Sequence, residues 1–110
     1  MKTKRETMLT KFSEGLSYAL EEQEQMQPVT MMMYDRFVGL LFIGITKSGW
    51  YCFNLIIKGG SANGNYIGFL YDALLSVLRR TDYETFRISK RQRNTVRIEM
   101  SKSNKSYWSK

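Results

Sequence analysis

Five cations, Arg87, Lys90, Arg91, Arg93 and Arg97, fall between positions 87 and 97, and the stretch RISKRQRNT at 87–95 contains no acid. At this density guanidinium and ammonium groups are suited to neutralising oxyanions, and arginine can fork onto phosphate oxygens or guanine edges. Gln92 and Asn94 stand among them with the amide groups that pair with adenine in the major groove. Residues 1–78 carry seven bases and seven acids, so the net charge of +7 arises wholly in residues 79–110. Behind the cluster, SKSNKSYWSK at 101–110 adds Lys102, Lys105 and Lys110, with Tyr107 and Trp108 placed to stack on bases or to pack on the body.

Other chemistry has little to build on. The chain has no histidine and one cysteine, Cys52, which excludes histidine-based triads, proton shuttles, histidine or all-cysteine zinc sites and an intrachain disulfide. The carboxylates are scattered, and KGGSANGN at 58–65 matches neither G-x-x-x-x-G-K-[ST] nor G-x-G-x-x-G. MMM at 31–33 reads as pliable packing, not as a ligand set. No enzyme, cofactor or metal is expected. The longest apolar run, Phe37 to Ile45, is about half the roughly 20 residues that cross a bilayer. With no secretory leader pattern either, the expected location is cytoplasmic.

The elements that must hold the cations follow from periodicity. A chain of 110 residues is the size of one compact domain, expected over residues 1–100 with 101–110 as a basic, flexible tail. Leu9, Phe12, Leu16, Ala19 and Leu20 recur at threes and fours, predicting a helix from about Arg5 to Glu24 that closes before Pro28. Met32 to Ile45 and WYCFNLIIK, separated by the turn-like TKSG, predict two antiparallel strands. A second helix is predicted by Ile67, Leu70, Tyr71, Leu74, Val77 and Leu78, with Ser61, Asn63 or Asn65 as its cap and Arg79 and Arg80 at its end. YETFRIS and TVRIEM then predict a basic-tipped hairpin. The fold class is α+β, in the order α-β-β-α-β-β.

Centring that hairpin on Gln92 places Phe86 opposite Ile98, Ile88 opposite Val96 and Ser89 opposite Thr95, and sets Arg87 against Arg97. Like charges in that position repel by roughly 0.2–1 kcal/mol, and an external polyanion would relieve them. A two-stranded ribbon also fits the major groove of B-DNA.

The helix with its basic hairpin resembles the helix-and-wing half of a winged helix, over about the last 45 residues before the tail. That resemblance implies DNA recognition. It departs from the pattern in having a strand pair where further helices would stand, and in an outward helix face of Gly68, Asp72 and Ser76 with no cation. The hairpin therefore leads. Tyr66, Phe69 and Ala73 form a second apolar stripe on the same helix, either buried deeply or offered to a second copy in a homodimer.

The expectation from sequence is a small, non-enzymatic DNA-binding protein, of the kind used as a regulatory or accessory factor by a plasmid or phage. Arg87, Lys90, Arg91, Arg93 and Arg97 would meet duplex phosphates, with Gln92 and Asn94 reading bases and Lys102, Lys105, Tyr107 and Trp108 as a second contact. The alternative is an inhibitor or adaptor whose basic surface docks on an acidic protein or its nucleic-acid channel.

Overall fold

Two helices cover one face of a five-stranded antiparallel sheet in the computed structural model, which describes residues 3–23, 29–33 and 36–102. Helix α1 (Lys4–Gln23) starts at a T-x-x-E spacing. Thr3 Oγ1 accepts from the Glu6 amide at 3.1 Å, and the Glu6 carboxylate accepts from the Thr3 amide at 3.4 Å, a capping box that satisfies two amides left over at a helix start. Phe12, Leu16, Ala19 and Leu20 are buried along its apolar face. Ser13 and Ser17 share that face and donate back to the carbonyls of Leu9 and Ser13 at 2.6 and 2.8 Å, so both hydroxyls are satisfied within the helix. Pro28, expected to close the helix, lies outside the described residues.

The stretch read as one strand from Met32 to Ile45 is two strands, β1 (Val29–Met33) and β2 (Arg36–Ile45), with Met33 opposite Arg36. Apolar and β-branched content identifies extended chain but not the point at which it doubles back. A bulge between Phe42 and Gly44 bends β2, and Gly44, at φ +149°, takes a conformation that side chains disfavour. Strand β3 (Tyr51–Ile57) follows the expected turn and puts Phe53, Leu55 and Ile57 into the core.

Helix α2 (Gly64–Arg80) is capped by Asn63, whose Oδ1 accepts from the Tyr66 amide at 2.9 Å. It buries Leu70, Leu74 and Val77 as its periodicity demands, and also Tyr66, Phe69 and Ala73. The surface suggested for a dimer is therefore interior: α1 packs over it, with the Phe12 and Phe69 ring centroids 5.8 Å apart and Arg5 bonded to Asp72 at 2.8 Å. The second apolar stripe exists because α2 has a helix on one side as well as a sheet beneath.

Strands β4 (Tyr83–Gln92) and β5 (Thr95–Lys102) complete a sheet in the order β1-β2-β3-β5-β4. The α+β class and the alternation of helix, strands, helix, strands stand as expected, enlarged by β1. One core holds the helices to the sheet through Leu16, Leu20, Leu40, Phe53, Leu55, Leu70, Ile98 and Met100, all under 2% exposed. Burying each such side chain contributes roughly 1.5–3 kcal/mol. Strand β5 carries Ser101 and Lys102 into the folded body, whereas Lys105, Tyr107 and Trp108 lie outside the described residues.

Candidate nucleic-acid interface

The hairpin turns at Arg93–Asn94, between Gln92 and Thr95, and a bulge between Lys90 and Gln92 precedes the turn. Its register is consequently offset by two residues from the one centred on Gln92: Phe86 faces Met100, Ile88 faces Ile98 and Ser89 faces Arg97. A two-residue offset keeps every side chain on its expected face, which is why periodicity alone could not separate the two registers. It does change the electrostatics. Arg87 stands opposite Glu99, not Arg97, and its Nη2 lies 3.5 Å from the Glu99 carboxylate. The expected arginine pair, and the repulsion it implied, are absent.

Arg87 has a second tie. Its guanidinium sits 4.2 Å from the centroid of the Trp50 ring, a cation–π contact that holds the side chain against the sheet. Trp50 is thus the platform for Arg87. Lys102 is similarly placed over Tyr51 and Tyr83, at 5.0 and 5.4 Å from the ring centroids.

Lys90, Arg91, Gln92 and Arg93 are all exposed at the hairpin end, with Asn94 half-buried. Among the described residues Lys90, Arg91 and Arg93 form no salt bridge, in contrast to Arg5, Arg80 and Arg87, which lie 2.8, 3.9 and 3.5 Å from Asp72, Glu14 and Glu99. The backbone beneath them is fastened. The Asn94 carbonyl accepts from the Ile57 amide and the Arg93 carbonyl from the Ala62 amide, both at 2.8 Å, so the end of β3 and the loop before α2 clamp the turn.

Arg97 belongs to a different setting. It lies on the helix-free face of the sheet, half-buried and opposite Asn54 of β3. Its Nε and Asn54 Oδ1 are both buried without a hydrogen-bond partner among the described residues. On the same face burial pushes the Cys52 thiol above its ordinary range; Arg97 and Arg91 pull it down, and Glu99 adds to the rise. Cations and carboxylate therefore surround this thiol, but desolvation decides its state.

A cleft of about 730 Å³ opens at the start of α2, between Arg5, Asn63, Asn65, Phe69 and Tyr71. Among the described residues its one cation, Arg5, is already held by Asp72. Among the described residues no group of three histidine, cysteine or acidic side chains could hold a metal, and no helix is long and apolar enough to cross a membrane. Compared with family models, curated proteins and solved structures, the chain matches none.

Two features of the surface escaped the sequence reading. The T-x-x-E cap was legible at Thr3 to Glu6. The apolar outer face of β2 was signalled by RFVGLLFIGI, which is hydrophobic at odd and even positions alike, a pattern of strands covered on both sides.

Proposed function

We propose that this chain is a non-enzymatic nucleic-acid-binding protein that meets duplex DNA with the end of its β4–β5 hairpin. The observation that carries the reading is the trio Lys90, Arg91 and Arg93, exposed, adjacent and without a carboxylate partner among the described residues. Each phosphate that such a group neutralises releases condensed counterions, and the two-stranded ribbon that presents them has the width of a major groove. Gln92, exposed beside them, is the candidate base reader, whereas Asn94 is half-buried and its Oδ1 accepts from the Thr95 hydroxyl at 3.2 Å. Arg87 takes a supporting part, since Glu99 and Trp50 already hold it.

The test is fluorescence anisotropy of the purified chain with labelled random duplex DNA, single-stranded DNA and duplex RNA over a range of salt. Binding to duplex DNA that weakens steeply with salt is expected. Absence of binding to all three at low salt would refute the reading and leave the trio to an acidic protein surface.

A further inference from the structure

Of the helix-free face of the sheet, only Arg87 enters the proposed DNA contact. Alternation along the strands sends Leu40, Leu55 and Val96 into the core and turns Phe37, Leu41 and Ile43 of β2 and Ile56 of β3 outward. These four large apolar side chains are between 36% and 54% exposed. A single exposed hydrophobic residue is ordinary, but a contiguous row on neighbouring strands marks a surface that a partner covers. Beside the row lie the buried, unsatisfied Arg97 Nε and Asn54 Oδ1, one donor and one acceptor, each costly to leave unpaired.

We propose that a second copy of the chain covers this face, packed sheet to sheet about a two-fold axis that runs across the strands over the Phe53–Ile98 row. Such an axis lays each strand antiparallel over its own counterpart, so every contact occurs twice. Counting outward from Ile98 along β5, Arg97 then faces Glu99 of the second copy, and Glu99 faces Arg97. The half-buried cation, which has no carboxylate partner among the described residues, then shares Glu99 with Arg87 of the second copy. Along β2, where Phe42 is level with Phe53, Leu41 meets Ile43 of the second copy, and Ile56, three residues from Phe53 on β3, meets Trp50 of the second copy.

The size is adequate. Five strands about 4.8 Å apart, over about seven residues of about 3.3 Å, give a flat area of roughly 550 Å². Side-chain relief raises this toward the ~800 Å² per partner of a standard interface. The same axis sets the two hairpin turns about 30 Å apart along the strands, close to the ~34 Å of one DNA turn. That last consequence rests on the DNA reading, whereas the dimer does not.

Sedimentation equilibrium of the full chain at tens of micromolar, free of nucleic acid, tests the proposal. The wild type should run at twice the chain mass. Leu41→Lys and Arg97→Glu should each return it to the single-chain mass with the circular dichroism of the fold retained, and Arg97→Glu combined with Glu99→Arg should restore the doubled mass. A wild type at the single-chain mass, or a doubled mass indifferent to the charge series, would overturn it. Should Leu41→Lys fail to fold, the charge series decides alone.

Discussion

Arg91→Ala combined with Arg93→Ala should flatten the salt dependence of DNA binding by an amount that the hairpin end itself sets. Lys90, Arg91 and Arg93 are exposed and form no salt bridge among the described residues, so each can take one phosphate. At about 0.9 log units per contact, three contacts give a slope near −2.7, and one remaining contact gives about −0.9. Raising salt from about 50 to 200 mM should then weaken the hairpin contribution about 40-fold in the wild type and about 3.5-fold in the double variant. Any cation elsewhere adds equally to both proteins, so the difference of about 1.8 in slope belongs to the hairpin. Arg87→Ala is the matched control, because that guanidinium is held by Glu99 and Trp50 and its removal should leave the slope nearly unchanged. Anisotropy titrations at four or five salt concentrations measure all three proteins. An unchanged slope in the double variant, or an equal drop in Arg87→Ala, would refute the assignment.

Phe69→Ala should cost about 3–5 kcal/mol in urea unfolding without altering the mass in solution, as expected for a ring enclosed by α1 and α2; a small cost with a change of mass would return Phe69 to an interface. Cys52 should alkylate slowly near neutral pH and rapidly once denatured, since burial holds the thiol protonated, which mass spectrometry of the adduct reads directly. The raised thiol pKa favours the folded state below the unfolded thiol's ordinary range. That stability is lost as pH rises through the folded value, so the urea midpoint should fall in the alkaline range, and by less in Cys52→Ala.

The sequence made the helices legible because their apolar spacing is dense: Leu16 and Leu20 in α1, Leu70, Leu74 and Val77 in α2 all went where the 3.6 period sends them. Strand faces were equally legible, for Ile88 and Ile98 point inward under either hairpin register. What periodicity could not supply was the register itself, since the turn at Arg93–Asn94 and the one-residue bulge between Lys90 and Gln92 together move partners by two. The fate of Tyr66, Phe69 and Ala73 was hidden for another reason. A stripe that meets a second helix of the same chain has the composition of one that meets another molecule, and only the packing of Phe12 against Phe69 distinguishes them. At the hairpin, the expected cluster of five cations separated into three exposed side chains, Arg87 tied to Glu99 and Trp50, and Arg97 turned to the open face of the sheet.

The clamp on the Arg93–Asn94 turn, from the amides of Ala62 and Ile57, bears on the thermodynamics of recognition. A free loop would lose backbone conformational entropy of roughly 1–2 kcal/mol for every residue ordered on binding. Here that ordering is completed when the chain folds, so only side-chain rotamers remain to be restricted at the encounter. The backbone that carries the cations is preset, and a ligand can be matched there only by rotation of the side chains.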